Sequence, residues 1–167
     1  MNEFRKRKQH RLPGYDYRNP GYYFVTICIK NRADLLGSIV VGADVLIGPR
    51  VALSQIGCMV RDVILTMPSV DQYVIMPNHL HLIFHLPPLG DGPMGTSAPT
   101  TSVPMLVRYL KRSVTLACGF PIWQDDYHDH IIRDESEYLR ICEYIETNPA
   151  KWQEDIYYAV PKGEMLL

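Results

Sequence analysis

The chain has 167 residues, of which 47% are hydrophobic, with 17 Lys and Arg against 18 Asp and Glu. That is enough apolar material for one two-layer domain over residues 1–167, and it argues against intrinsic disorder. No apolar run reaches the roughly 18 residues of a membrane span, and a net charge of −1 gives by itself no argument for a nucleic-acid partner.

The charge is unevenly placed. Residues 1–12 carry Arg5, Lys6, Arg7, Lys8 and Arg11 against Glu3, a balance of +4, which leaves −5 for the remainder. A basic arm on a mildly acidic body suits contact with phosphates, and equally a solvated, frayed terminus. No apolar run follows it, so it does not read as a secretory signal, and a cytoplasmic protein is expected. Cys28, Cys58, Cys118 and Cys142 stand far apart with no C-x-x-C pair, as expected of reduced core thiols.

In chain order, Tyr22 to Ile29 is rich in aromatic and β-branched residues and predicts a buried strand. Ser38–Val41 and Val45–Ile47, joined through Gly42-Ala43-Asp44, predict a short hairpin. Leu53, Ile56, Met59, Val60, Val63, Ile64 and Met67 recur at steps of three and four, the pattern of a helix that Pro68 stops. Gln72–Ile75 and His79–Leu86 predict two strands around a Pro77-Asn78 turn. Residues 87–102 are rich in proline and glycine and are expected to form a flexible loop.

Ser102 is the expected N-cap of a second helix, with Pro104 in its first turn, an apolar stripe through Leu106, Val107, Leu110, Val114 and Ala117, and Gly119 as its left-handed terminus. A strand near Tyr127–Ile132 follows. Asp134 then caps a third helix running to about Thr147, with Pro149 just beyond it. Without the early hairpin the order is β-α-β-β-α-β plus one C-terminal helix. This predicts an α+β, ferredoxin-like (RRM-like) antiparallel sheet with helices on one face, a fold that hosts many functions.

Two motifs carry chemistry. In Met76-Pro77-Asn78-His79-Leu80-His81 the histidines are two apart on a strand and share a face, while Leu80, Leu82 and Phe84 point to the core. Two adjacent imidazoles can ligate a metal, although a bare His-x-His is more often just a half-exposed strand face. His85 shares that face as a weaker candidate. His128-Asp129-His130 repeats the pattern without the hydrophobic middle residue. The other motif is Tyr144-Ile145-Glu146-Thr147-Asn148-Pro149, where Tyr144 and Asn148 lie one turn apart. A phenol can be a nucleophile and an amide oxygen a hard-cation ligand; a tyrosine taken alone, one of eleven, is equally a packing residue.

Five segments occur in order: Leu12-Pro13-Gly14-Tyr15-Asp16-Tyr17; Tyr23 to Cys28 with Asn31-Arg32; the His79/His81 motif; Trp123-Gln124 with Tyr127 and His130 to Arg133; and the Tyr144 motif. Over about residues 10–158 the chain resembles the single-tyrosine transposases of the HUH superfamily, nearest the REP-associated tyrosine transposases. The resemblance implies that His79 and His81 bind a divalent ion, Mg2+ or Mn2+, and that Tyr144 is the nucleophile. Asn148 falls where relatives carry a third ligand, with Gln or His in other members. Lys111, beside Arg112, falls where relatives often carry a basic residue on the second helix.

The implied activity is cleavage and rejoining of single-stranded DNA, including hairpin-forming repeats, through a 5′-phosphotyrosine, by a nucleoid-associated protein. Arg5, Lys6, Arg7, Lys8, Arg11, Lys111 and Arg112 are the expected phosphate contacts. Relatives act as monomers or as homodimers that share sites, which leaves open whether Tyr144 works in its own subunit. A non-catalytic single-stranded nucleic-acid-binding module is the alternative, but no strand carries the glycine–aromatic RNP1 pattern. A zinc hydrolase would need three protein ligands and an open water position, and no H-E-x-x-H or H-x-E…C-x-x-C arrangement occurs. A transposase that binds DNA but no longer cuts it is the third reading.

Overall fold

The computed structural model describes residues 14–41, 48–88 and 101–158. Strand β1, Gly21–Cys28, is the middle of the fold. A hairpin of β2, Gly37–Val40, and β3, Arg50–Leu53, precedes helix α1, Gln55–Leu65. Then come β4, Val70–Ile75, β5, His79–Leu86, helix α2, Val103–Cys118, β6, His128–Ile132, and helix α3, Glu135–Thr147. The main sheet has the order β4-β5-β1-β6 with antiparallel neighbours, which is the ferredoxin-like arrangement.

Strand periodicity divides the sheet into two faces. Tyr23, Val25 and Ile27 of β1 and Leu80, Leu82 and Phe84 of β5 form one core with Val60 and Ile64 of α1 and Val107, Leu110 and Val114 of α2. Residues one step out of phase point the other way. Ile83 packs there with Ile132 and with Ile141 and Ile145 of α3, flanked by Tyr22 and Phe24. The third helix therefore covers the face opposite α1 and α2, the same face as His79 and His81. Register fixes their neighbours: Thr26 pairs with His81 and Cys28 with His79.

Ser54 caps α1 by accepting from the Gly57 amide at 3.0 Å, and Asp134 caps α3 by accepting from Glu137 at 2.8 Å. Gly119 ends α2 at φ 80°, the left-handed position expected for it. Ser102 is the N-cap of α2, but its side chain makes no capping bond.

One expected boundary is corrected. The return strand of the early hairpin is Arg50–Leu53, whereas Val45–Ile47 and the Gly42-Ala43-Asp44 connection lie outside the described residues. Helix α3 ends at Thr147, as expected with Pro149 just beyond it, and a further helical segment follows. A proline needs no amide donor in a first turn, so the chain tightens into a 3-10 segment over Asn148–Glu154. The basic arm and most of the 87–102 loop also lie outside the described residues. Among the described residues no helix is long and apolar enough to cross a membrane.

Candidate active site

His79 and His81 lie side by side on β5, 0% and 1% exposed, with their Nε2 atoms 3.0 Å apart. Each ring is oriented from behind. The Asn78 amide donates to the carbonyls of Tyr157 at 3.0 Å and Arg32 at 3.4 Å, so its Oδ1 faces His79 Nδ1 at 2.9 Å. That nitrogen must carry the proton, which leaves the His79 Nε2 lone pair free. His81 Nδ1 lies 2.8 Å from Thr26 Oγ1, and a hydroxyl can accept as well as donate, so His81 Nε2 can also be left as a lone pair. Burial is the main reason that both pKa values fall to about 3, reinforced at His79 by Arg32 and at His81 by His79. Both rings are thus neutral at pH 7, the form that ligates metals.

Helix α3 brings Tyr144 to the same place within the same chain. Its hydroxyl lies 3.2 Å from His81 Nε2, and the phenol, 39% exposed, meets Phe24 edge-on. Burial and the nearby Asp155 carboxylate raise its pKa to about 12, opposed by Asn148. Asn148, one turn on, is buried. Its amide nitrogen donates to Asp155 Oδ2 at 3.1 Å, while its Oδ1 is buried without a partner. Reversing the amide would put oxygen against carboxylate, so this orientation is fixed by charge.

The segment after α3 completes the site. Tyr157 lies 4.6 Å from the His79 ring and Trp152 5.9 Å. Arg32 holds this strap by donating to the Ile156 carbonyl at 3.0 Å, with its guanidinium over the Tyr157 ring. Asn31 and Arg32 both adopt left-handed backbone, at φ 56° and 52°, a local cost of about 1 kcal/mol or more each. The turn that pays it is the one that brings Arg32 to the site.

Asp155 arrives on the same strap, and its carboxylate oxygen lies within 4.8 Å of the His79 and His81 ligand atoms. Its place in the site is not evident from the sequence. In Gln153-Glu154-Asp155 it reads as one more solvated acid, and no local pattern reveals that this residue turns inward. His85 stacks on Tyr22 and His130 bonds Glu137, and neither joins the group.

The basic residues of α2 divide. Lys111 donates to the carbonyls of Gln124, Asp125 and Asp126 at 2.7, 3.1 and 3.1 Å, and burial lowers its pKa. Its ammonium is engaged in holding the turn before β6. Arg112 and Arg108 line, with Lys30 and Trp123, a groove of about 640 Å³ on the α2 side. Lys111→Met should therefore lower unfolding free energy by about 2 kcal/mol, the scale of a charged hydrogen-bond set, whereas Arg112→Ala should leave it nearly unchanged. Denaturant midpoints check both.

The donor set fits a divalent cation. Two ligand nitrogens at right angles, each at about 2.1 Å, would stand about 3 Å apart, as these Nε2 atoms do. The orphaned Asn148 Oδ1 adds a buried oxygen in need of a partner.

No protein-family model matches the chain. It is 35% identical over 174 residues to an uncharacterized protein of Haemophilus influenzae, covering 91% of this chain and 93% of that one. It is 32% identical over 84 residues to a REP-associated tyrosine transposase of Escherichia coli K12, an alignment covering 50% of this chain and 45% of the relative. A solved structure of a REP-associated tyrosine transposase bound to a REP hairpin superposes with a TM-score of 0.54 at 25% identity, over 91% of this chain and 74% of that one. With the order of its motifs and its ferredoxin-like sheet, the chain resembles the REP-associated tyrosine transposases, and these likenesses support a transposase-like function.

Proposed function

We propose that the protein is a metal-dependent single-stranded DNA endonuclease and strand transferase that works through a 5′-phosphotyrosine on Tyr144. The observation that carries this reading is the Tyr144 hydroxyl 3.2 Å from His81 Nε2 of its own chain. It favours a tyrosine acting on the site of the same subunit.

His79, His81 and the free Oδ1 of Asn148 would hold Mg2+ or Mn2+. Such an ion withdraws charge from a phosphodiester and orients its phosphorus for in-line attack. Thr26 and Asn78 keep both Nε2 atoms directed at one point. Tyr144 Oη forms the bond to phosphorus, the bond to the 3′ oxygen breaks, and the leaving oxygen ends protonated as a free 3′-OH. The phosphodiester energy is kept, so another 3′-OH can reverse the step and join strands. A phenol is protonated at neutral pH, the more so where burial raises its pKa to about 12, so its proton must leave as the new bond forms, balanced by the proton that the 3′ oxygen takes up.

DNA is the proposed partner, in a hairpin-forming single-stranded repeat like the hairpin bound by the solved relative. Incubating labelled repeat DNA with protein and Mn2+ tests the reading on a denaturing gel. A shifted covalent band supports it. Retained binding without any band would instead favour a non-catalytic binding module.

Phosphate contact is assigned to Arg112 and to Arg5, Lys6, Arg7, Lys8 and Arg11 of the arm. Deleting residues 1–11 should weaken DNA binding and flatten its salt dependence, by up to roughly 3.5 in the log–log slope if all five cations meet single-stranded phosphates. An unchanged slope would return the arm to a solvated tail.

A further inference from the structure

We infer that Asp155 is a metal ligand, supplying the anionic oxygen that the His79, His81 and Asn148 set lacks. The inference rests on the metal-dependent reading above and deepens it. Two imidazoles and an amide are neutral donors, whereas Mg2+ and Mn2+ favour oxygen ligands and carboxylates in particular.

The Asp155 side chain is 3% exposed, yet no Lys or Arg nitrogen among the described residues lies within 4.0 Å of it. The one basic group at that distance is His79 Nε2, at 4.0 Å. A cation between this carboxylate and the imidazoles would supply the partner that no Lys or Arg provides.

The carboxylate is also aimed. Oδ1 accepts from the Tyr157 amide at 2.7 Å, which fixes the rotamer. That leaves Oδ2 turned to the site, where it accepts from Asn148 at 3.1 Å and weakly from Tyr144 at 3.4 Å. The Asn148 nitrogen thus positions Asp155 while its oxygen remains free. The ion would join two separate parts of the chain: β5, through the histidines, and the strap beyond α3, through Asp155.

The test uses full-length protein and measures Mn2+ binding by calorimetry, with no DNA and no activity readout. Asp155→Asn keeps the shape and removes the charge. It should weaken Mn2+ at least about tenfold while the metal-free protein stays folded, with a melting temperature equal to or above the parent's. A folded Asp155→Asn protein that binds Mn2+ within twofold of the parent overturns the inference. Should Asp155→Asn not fold, Asp155→Cys titrated with Cd2+ serves. A thiolate–cadmium absorption band absent from the parent is expected, and its absence at saturating Cd2+ overturns the assignment. His81→Ala separates the two ideas. If it abolishes Mn2+ binding and Asp155→Asn does not, only the role of Asp155 falls. If neither changes Mn2+ binding, the metal site itself falls.

Discussion

Tyr144→Phe is expected to eliminate the covalent protein–DNA adduct while leaving single-stranded DNA binding within about twofold. The substitution removes one oxygen and hardly changes volume, so packing against Phe24 survives. What is lost is the contact to His81 Nε2 at 3.2 Å and a weak one to Asp155 at 3.4 Å, on a ring that is 39% exposed. A folding cost near 1 kcal/mol or below is expected. The needed control is Tyr157, a second phenol over the histidines with its hydroxyl directed at Thr26. It stands on the strap, whereas Tyr144 is held by α3 and placed one turn from Asn148. Tyr157→Phe should therefore still form adduct. The opposite outcome, adduct from Tyr144→Phe and none from Tyr157→Phe, would move the nucleophile to the strap.

The part of this site written in local periodicity was legible beforehand. His79 and His81 share a face because side chains alternate along a strand, and Leu80 and Leu82 anchor the phase by filling the core. Tyr144 and Asn148 lie together because a helix repeats at four residues. The fold order followed from the same two periods. Contacts made by irregular chain were not legible. Asp155, Tyr157 and Trp152 reach the histidines only because the 3-10 segment after Thr147 folds back, and Pro149 suggested a stop there. Lys111 looked like one of several cations on α2; its engagement with three carbonyls depends on a turn far along the chain. The orienting roles of Thr26 and Asn78 arise from strand register and a tight turn, and neither has a sequence signature of its own.

His81→Ala, or removal of divalent ions by EDTA, should abolish the adduct while most DNA affinity remains, because phosphate contacts away from the histidines supply it. The two treatments differ in how they affect folding. EDTA leaves the protein intact, and added Mn2+ should restore activity. His81→Ala leaves a cavity and removes one of the partners of Thr26 Oγ1, so some loss of stability is expected as well. The pH dependence of metal-free stability gives a separate check on burial. Both folded-state pKa values lie near 3, below the 6.5 of an exposed imidazole. Between those values the unfolded chain binds protons that the folded chain does not, so stability is complete above pH 6.5 and falls as the solution is acidified toward 3. Each proton of difference is worth about 1.4 kcal/mol per pH unit. Removing one imidazole should therefore make stability decline less steeply between pH 6.5 and 5, whatever its absolute value. Denaturant midpoints of the parent and His81→Ala at pH 7 and pH 5 measure this. Equal acid sensitivity in the two proteins would mean that His81 titrates normally in the folded state, and the buried, neutral pair would then be the wrong description of the site.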